Sequence, residues 1–392
     1  MNSSESTAPI PEPKGASDAG VTAASDPALS GRRLPWPVPD DRKGGVALQI
    51  KTKARELGFD LVGIATAQPP GHSREFQKWL ASGFHGEMGY LARTADKRVD
   101  PTRVLADAQS VVVVGLNYFS ETPREGPRPT AAGRVARYAW GARDYHDVME
   151  EKLRRLAAAI GECGGPGTRS LWYVDTGPVL ERDLAQRAGI GFIGKHTNLI
   201  SRGQGNWIFV GEVLTTLELL PDEPEREYCG TCRRCIDVCP TRAIVAPYRL
   251  DARLCISYLT IELKGAIPVE LRPLIGDHVF GCDDCLDVCP WNRFAKLTLV
   301  REFQRRQMPP LTEFLSWDEC KFRDFFRGTP ILRIKRRGFL RNVCVVLGNI
   351  GDSSALPALA RARRDPEPLV REHAAWAIEQ IQNRCSGTKS AV

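Results

Sequence analysis

Apolar and polar positions alternate along the first half of the chain with the periods of helices and strands. The segment 46–66 predicts an amphipathic helix, a stop at Gly58 and then a strand. A buried strand is predicted over 110–119 and a long helix over 145–162. REFQKWLASGF predicts one more helix, and RSLWYVDT and NWIFVGEVLTTLEL predict further strands. This alternation indicates a mixed α/β domain.

After residue 290 the pattern becomes helical. Periodic apolar positions predict helices over 338–352, in SSALPALARARRD and in EPLVREHAAWAIEQI, with short breaks of Gly, Asp and Pro between them. The stretch DPEPLVREHAAWAI is similar to a HEAT repeat, in which stacked helix pairs bury a shared apolar face. Since only about one and a half such units are present, we predict a small helical module.

Composition narrows the class of protein and its compartment. The chain has 392 residues, 42% hydrophobic and 26% charged, which is ordinary for a soluble globular protein, and it has no long apolar run that predicts a membrane span. Residues 1–44 are rich in Ser, Pro, Ala and Gly, lack a secretory signal and predict a disordered tail. We expect a cytoplasmic protein, in which twelve cysteines favour metal or cluster ligation over disulfides.

Eight of the cysteines fall between residues 229 and 289. CGTCRRCIDVCP (229–240) is the C-x2-C-x2-C-x3-C-P run typical of 4Fe–4S proteins. GCDDCLDVCP (281–290) repeats the last three cysteines and the proline, but Val279 stands where its first cysteine should be. Cys255 lies between the two runs and completes the eight ligands that two four-cysteine clusters need.

In paired runs of this kind, the cysteine before the proline ligates the other cluster. We therefore predict one cluster on Cys229, Cys232, Cys235 and Cys289, and a second on Cys239, Cys255, Cys282 and Cys285. Two zinc sites of four cysteines, or buried free thiols, are the alternatives, although a trailing C-x3-C-P is not typical of structural zinc. The cysteines outside these sets are expected to be buried structural thiols; they are Cys163, Cys320, Cys344 and Cys385.

The predicted fold class is α+β, with a disordered tail and three folded parts. These are the tail at 1–44, a mixed α/β domain at 45–220, a ferredoxin-like domain with two clusters at 221–300, and the HEAT-like helical module at 301–392. The polar stretch PDEPERE separates the first two folded parts. Two adjacent clusters conduct electrons, so an electron acceptor is expected elsewhere in the chain.

Positive charge concentrates in the helical module. Residues 327–341 contain six basic residues and no acidic one, and RARR follows at 361–364. On charge alone the sequence favours a solvated basic face. The alternative is a surface for a phosphate backbone, where each neutralised phosphate releases a counterion.

The function that two motifs in the α/β domain indicate depends on the elements that flank them. AGIGFIGKH (188–196) matches G-x-G-x-x-G, but a helix is predicted before it and an extended segment after it, so we do not expect NAD or ATP binding. In YVDTGPVLERD, Asp175 either caps the helix that follows or presents a carboxyl group that can deliver a proton. The residues by themselves do not decide between these two roles.

Taken in order, these motifs resemble the epoxyqueuosine reductase family over residues 46–385. The resemblance rests on ADKRVDP, RYAWGARDYH, VDTGPVLERDLAQRAGIGFIGKHT, CGTCRRCIDVCPTRAI, CISYLTIELKG and GCDDCLDVCPWN. It implies that the epoxide oxygen of epoxyqueuosine, at the wobble position of tRNA, is removed as water by two electrons and two protons. It also implies cobalamin beside two 4Fe–4S clusters, which would pass single electrons to cobalt. Cobalamin rests on the resemblance alone, because Met149 stands where the glycine of the usual D-x-H-x-x-G motif is required.

The same resemblance assigns residues. It implies that Asp175 is the proton donor, buried beside the corrin with a raised pKa, and that the 188–196 loop lies against the corrin. Arg98 and Ser257 match cobalamin contacts, and Lys264 matches a tRNA contact. The basic stripe would hold the anticodon arm of tRNAs with GUN anticodons through Arg333, Lys335, Arg336 and Arg337. An external low-potential electron donor and a monomeric protein are also expected.

Two other functions share some of these features. A reductive dehalogenase also couples cobalamin to two clusters, but it usually carries a twin-arginine export signal. SGRRLPWPVP (30–39) has two arginines without an apolar run after them, and no such signal is expected. A non-catalytic electron-transfer or RNA-binding adaptor would not need the α/β domain that precedes the clusters.

Overall fold

The computed structural model describes residues 40–120 and 133–387. Its helices, α1 to α14 in chain order, are Asp40–Glu56, Ser73–Ala81, Gly89–Arg93, Ala95–Arg98, Tyr145–Gly164, Glu181–Arg187, Arg234–Val238, Ile256–Ile261, Asp284–Asp287, Leu311–Phe314, Glu319–Phe326, Lys335–Ile350, Leu356–Ala362 and Pro368–Gly387. Its strands, β1 to β10, are Leu61–Thr66, Ser110–Asn117, Arg134–Val135, Ser170–Val174, Phe192–Ile193, Leu199–Ile200, Ile208–Thr215, Ile244–Ala246, Arg249–Leu250 and His278–Phe280.

A four-stranded antiparallel sheet, in the order β1-β2-β7-β4, organises the first part of the chain. Helices α1 and α5 pack on one face of the sheet and α6 packs on the other. Because both faces are covered, the strand SVVVVGLN is buried at every position. The helices and strands that the sequence predicts for this domain are confirmed.

The start of the domain differs from its prediction. Helix α1 begins at Asp40, inside the predicted tail of residues 1–44, so the polar residues 40–45 form helical turns ahead of the first apolar position, Val46. The rest of the predicted tail lies outside the described residues.

The cysteine segment, residues 228–292, follows a stretch without regular structure. It contains α7, the β8–β9 hairpin, α8 and α9, and its strand β10 pairs in parallel with β3. Since β3 precedes α5 in the chain, this pairing fastens the cysteine segment to the α/β domain.

The C-terminal helices share a hydrophobic core with the cysteine segment. Phe339 and Val343 of α12 lie in one buried cluster with Val279 and Phe280 of β10. Arg341 donates hydrogen bonds to carbonyl oxygens at the end of α8, where a helix leaves its last carbonyls unpaired. The predicted helices are confirmed. The HEAT-like arrangement stays a prediction, as does the domain boundary at residue 300, although the shared core crosses that boundary. No helix in the described ranges is long and apolar enough to cross a membrane.

Candidate functional site

A cavity of about 460 Å³ lies between the sheet and the cysteine segment. One of its walls is aromatic: Tyr118 and Tyr145 stack on the ring of Phe209 with centroid distances of 4.3 and 4.1 Å. Tyr138 and Phe280 extend this wall. The wall forms because the end of β2, the first turn of α5 and strand β7 meet there.

Four cysteines from distant positions line the cavity. They are Cys239, Cys255, Cys282 and Cys285. Burial raises the pKa of the Cys285 thiol well above its usual value, and the neighbouring Cys255 and Cys239 raise it further. The structure therefore brings together the four cysteines that the sequence groups as one set, including the isolated Cys255.

The other predicted set also meets. Burial raises the pKa of the Cys235 thiol to about 11, and Cys229, Cys289 and Cys232 contribute to that rise. Cys289 opens to a depression on the outer surface beside Arg234. The two sets are neighbours, since Cys235 also raises the pKa of Cys285. One set therefore opens to solvent and the other to the cavity.

Backbone amides point at the sulfurs of both sets. The Lys195 amide donates to Cys229 Sγ at 3.4 Å, and the Ala243 amide donates to Cys239 Sγ at 3.3 Å. The Lys195 ammonium also donates to the carbonyl oxygen of Cys232, at 3.0 Å. Hydrogen bonds to sulfur stabilise the charged thiolate and are among the features that set the potential of an iron–sulfur cluster.

A smaller group of possible ligands overlaps the cavity set. The ligand atoms of His278, Cys282 and Asp284 lie within 4.8 Å of one another. Because Cys282 belongs to the cavity set, this group is part of the same site. His278 Nε2 lies 3.7 Å from Cys282 Sγ and 3.0 Å from Asp284 Oδ2.

The sequence predicts that the four remaining cysteines are all buried, and the structure confirms this only in part. Cys344 is buried and Cys163 is partly buried, but Cys320 and Cys385 are exposed. The prediction was wrong for these last two because their helices turn them towards solvent.

Asp175 lies at the cavity, in the turn after β4. Its φ of +57° is unusual for a residue other than glycine, and such strained conformations concentrate at functional sites. The Tyr145 hydroxyl donates to Asp175 Oδ2 at 2.9 Å, and His146 Nε2 lies 3.8 Å from the same oxygen. The Asp175 side chain is 49% exposed in this structure, and its burial beside a corrin stays a prediction.

Asp175 is also not a helix cap. Helix α6 begins at Glu181, its N-cap residue is Leu180, and no side chain caps it. The turn from Thr176 to Leu180 separates Asp175 from the helix, which overturns the capping interpretation.

Arg333, predicted to contact tRNA, reaches the cavity from the helical module. Its Nη2 donates to His146 Nε2 at 3.4 Å, while His146 Nδ1 donates to Asp144 Oδ1 at 2.7 Å. Asp144 also caps α5 by accepting from the His146 amide. The imidazole beside Asp175 is therefore held on both sides.

The predicted cofactor contacts divide into two kinds. Ser257 lines the cavity, as does His196 at the end of the 188–196 loop. Arg98 is only 9% exposed and is not among the lining residues; its Nη1 donates to the Val179 carbonyl oxygen at 2.9 Å, in the turn that follows Asp175. The cofactor contact predicted for Arg98 stays a prediction.

The 188–196 loop also has the context that the sequence predicts. Helix α6 enters it and the short β5–β6 hairpin follows, with no helix after the glycines. The predicted context, a helix before the loop and an extended segment after it, is therefore confirmed, and the expectation that the loop binds no nucleotide stays a prediction.

The basic stripe does not form one surface. Arg336 is buried, with a bidentate pair to Asp365 that includes an Nη1–Oδ1 distance of 3.1 Å, and its Nε donates to the Trp317 carbonyl oxygen at 2.6 Å. The predicted tRNA contact was wrong for Arg336, because a tertiary acidic partner removes its charge from the surface. Lys335 and Arg337 are exposed.

Lys264, the remaining predicted tRNA contact, is exposed at the surface. Its backbone amide donates to Glu87 Oε2 at 2.9 Å, which holds this position of the chain in place.

Sequence reasoning missed two glutamates near Asp175. Glu181 lines the cavity, and burial followed by the charge of Asp175 raises its pKa to about 7. Glu212, on β7, is fully buried, and no hydrogen-bond donor of the described chain reaches either of its carboxyl oxygens. The signal available for Glu212 was an acidic residue inside an otherwise apolar strand.

Two family models match parts of this chain. The one described as "Epoxyqueuosine reductase QueG, DUF1730" matches residues 98–176. The one described as "4Fe-4S double cluster binding domain" matches residues 228–292, which are the cysteine segment. The second match supports 4Fe–4S clusters over the zinc alternative.

Whole-chain comparisons give the same result. The epoxyqueuosine reductase of Xanthomonas campestris pv. campestris is 46% identical over 342 residues, which cover 85% of this chain and 96% of that protein. The epoxyqueuosine reductase of Escherichia coli K12 is 43% identical over 351 residues, covering 86% and 90%.

Solved structures agree in fold. A crystal structure of epoxyqueuosine reductase with an epoxyqueuosine-modified tRNA-Tyr stem loop is 32% identical, with a TM-score of 0.81 over 86% of this chain and 90% of that chain. The Bacillus subtilis epoxyqueuosine reductase, described with the catalytic loop of an aspartate swung out of its active site, is 31% identical, with a TM-score of 0.80 over the same shares. Relatives this similar over most of both chains show that this chain belongs to the epoxyqueuosine reductase family.

Proposed function

We propose that this protein reduces epoxyqueuosine in tRNA to queuosine, with two electrons and two protons removing the epoxide oxygen as water. The observation that carries the proposal is that one cavity is lined both by Asp175 and by four cysteines with cluster-ligand spacing. A proton source and the end of an electron path therefore face the same space. The relative solved with an epoxyqueuosine-modified stem loop supports this substrate.

The electron path follows from the two cysteine sets. Cys229, Cys232, Cys235 and Cys289 bind one 4Fe–4S cluster, and Cys239, Cys255, Cys282 and Cys285 bind the other. With both clusters bound, the set that opens to the surface beside Cys289 would take electrons from an external low-potential donor. The set that lines the cavity would deliver them there.

The cavity fits a large flat cofactor with polar edges, as cobalamin is. Its aromatic wall is apolar and flat, while His196 and Asn206 add buried polar side chains to the lining. Ser257 adds a hydroxyl group, and Arg98 holds the turn after Asp175 through the Val179 carbonyl oxygen. When bound, cobalamin would supply a reduced metal centre that is a strong nucleophile towards carbon.

Asp175 delivers the proton. Its carboxyl group faces the cavity, the Tyr145 hydroxyl holds one of its oxygens, and His146 lies beside that oxygen. Protonation of the epoxide oxygen turns an alkoxide, which leaves poorly, into a hydroxyl group. A general acid in this position contributes about 10²- to 10⁴-fold to the rate.

The tRNA contacts rest on exposed positive charge. Lys264, Lys335 and Arg337 are exposed and bind phosphates of the anticodon arm. Arg333 differs from them, since it reaches the cavity and contacts His146. It therefore acts next to the modified nucleoside.

The reaction and its cofactor can be tested together. The reduced, anaerobic protein is incubated with tRNA that carries epoxyqueuosine, with and without cobalamin, and the mass of the modified nucleoside is measured by mass spectrometry. We expect the mass of one oxygen to be lost only when cobalamin is present. No loss under either condition, with both clusters intact, would contradict the proposed function.

The role of Asp175 has its own test. Asp175→Asn should retain iron and cobalamin but form queuosine about 10²- to 10⁴-fold more slowly, because an amide is not a proton donor of comparable strength. Asp147→Asn is the matched control, since Asp147 is exposed in the first turn of α5 and should leave the rate unchanged. An Asp175→Asn protein that turns over at the normal rate would exclude Asp175 as the donor.

A further inference from the structure

The reaction needs two protons in each turnover, and one aspartate carries one. Two further carboxyl groups, Glu181 and Glu212, lie close to Asp175 and have no assigned role. The inference drawn from them rests on the proposed function.

The sheet geometry places Glu212 behind the cavity. Side chains alternate between the two faces of a strand, so Ile208, Val210 and Glu212 of β7 point to the same face. Ile208 and Val210 line the cavity, and Glu212 follows them along that face, deeper in the protein.

Helix α6 covers the same face of the sheet. Its residues Leu184 and Ala185 pack with Val210 and Leu214 of β7 in one buried cluster. Glu181, the first residue of this helix, therefore stands at the edge of the space between helix and sheet, where it lines the cavity together with Asp175.

The two glutamates differ in how firmly they hold a proton. Glu212 is fully buried and no described donor reaches it, so an ionised Glu212 would be an uncompensated buried charge. Burial, with Glu181 and Asp175 adding to it, raises the pKa of Glu212 well above its usual value. The pKa of Glu181 rises only to about 7, so near neutral pH both its protonated and its ionised form are populated, as a proton-transfer group requires.

The charged groups around Glu181 come from every neighbouring element. They are Asp175 after β4, Arg182 on α6, Arg98 on α4, His146 on α5 and Glu212 on β7. The two arginines oppose the rise in the pKa of Glu181 and Asp175 promotes it. Glu212, which keeps its proton, adds no charge at neutral pH.

We propose that Glu181 supplies the second proton of each turnover by passing it to Asp175. Asp175 first gives its own proton to the epoxide oxygen, so that one C–O bond breaks and a hydroxyl group forms. Glu181 then restores the proton on Asp175. The second proton goes to the hydroxyl group, which leaves as water as the other C–O bond breaks and the carbon–carbon double bond forms. The two electrons come from the low-potential donor. They replace at carbon the bonding pair that leaves with the first C–O bond, and they become the second pair of the carbon–carbon double bond when water leaves. Solvent later returns both protons.

The test is the pH dependence of queuosine formation in a single turnover. Because Glu181 loses its proton as the pH rises through about 7, the rate of the unmodified protein should fall above that pH. In Glu181→Gln, the rate should be about 10²-fold lower, and this fall near neutral pH should be absent. A Glu181→Gln protein that keeps the normal rate and the normal fall would overturn the proposal.

Two further variants serve as the control and as the alternative if Glu181→Gln does not fold. Glu151→Gln, on the exposed side of α5, is the control and should keep both the rate and the pH profile. If Glu181→Gln does not fold, Glu181→Asp retains a carboxyl group and should keep a falling limb with a shifted midpoint. A folded Glu181→Asp protein whose profile lacks that limb would count against the relay.

Iron content, retained cobalamin and tRNA affinity separate a relay from a structural role, and all three should be normal in Glu181→Gln. The proposed function and the relay can also fail separately. If the unmodified protein does not form queuosine, the proposed function fails. If it does, and Glu181→Gln behaves identically, only the relay fails.

Discussion

In the cysteine segment the sequence pattern predicts where the residues lie, whereas in the basic stripe at 327–341 it does not. In the cysteine segment, residues of one type at regular spacing converge on two neighbouring sets. In the stripe, residues of one charge have unrelated positions. Arg336 is buried against Asp365, and Arg341 is buried against α8. Arg333, Lys335 and Arg337 are exposed, and of these three Arg333 lines the cavity.

The difference lies in where the partners are. A C-x2-C-x2-C run carries three ligands on one tight turn, so its local spacing already determines what the turn can bind. An arginine has no such local partner. Asp365 is 29 residues from Arg336, and Leu259 is 82 residues from Arg341. Regular spacing of a residue type therefore predicts a binding site when one bound group contacts all of the spaced residues. A run of like charge predicts no such site, because the partner of each charge lies elsewhere in the chain.

The largest effect is expected where the cysteine segment departs from its repeat. Cys255→Ala should lose about half of the iron and all turnover, because a four-cysteine site without one ligand cannot hold its cluster stably. Iron analysis and absorbance measure this loss. Cys320→Ala is the control, since Cys320 is an exposed thiol outside both sets. Full iron content in Cys255→Ala would show that this cysteine is not a ligand, and would weaken the contrast between the two regions.

The next effect concerns stability and separates two adjacent arginines of the stripe. Arg336→Ala leaves Asp365 buried without its partner and should reduce the free energy of unfolding by about 3–5 kcal/mol. Arg337→Ala removes an exposed charge and should change it by no more than about 0.5 kcal/mol. Urea unfolding of both variants measures the difference. Equal stabilities would mean that the stripe is uniform after all.

The smallest effect concerns the exposed residues of the stripe. Replacing Lys335 and Arg337 with glutamine should weaken tRNA binding and lower the slope of its salt dependence by about 0.7–0.9 for each phosphate that the protein no longer neutralises. The same double replacement at Arg154 and Arg155, which are exposed on α5, should leave the slope unchanged. A slope that stays the same in the Lys335 and Arg337 variant would make this part of the stripe a solvated face.

Much of the scaffold could be predicted because the pattern that encodes it is local. The strand SVVVVGLN is apolar throughout, and helix α5 has a continuous apolar face closed by glycine. The grouping of Cys255 with the second run also followed from counting ligands, and the structure places it with Cys239 and Cys285.

The site was harder to predict because its side chains come from distant parts of the chain. Asp175 could be located, but its half-exposed position and its φ of +57° depend on the conformation of the turn that separates it from α6, which local spacing does not determine. Glu212 went unnoticed within a strand, since its role depends on the helix that covers it. Arg333 meets His146 across 187 residues.

The sequence by itself determined the elements, the two cysteine sets and the family resemblance, because helix periodicity, strand apolarity and ligand spacing are properties of neighbouring residues. Tertiary structure decided which charges are buried, which face the cavity and which face solvent. It did so because the energy of a charged group depends on its burial and on its partners, and the chain brings those partners together only when it folds.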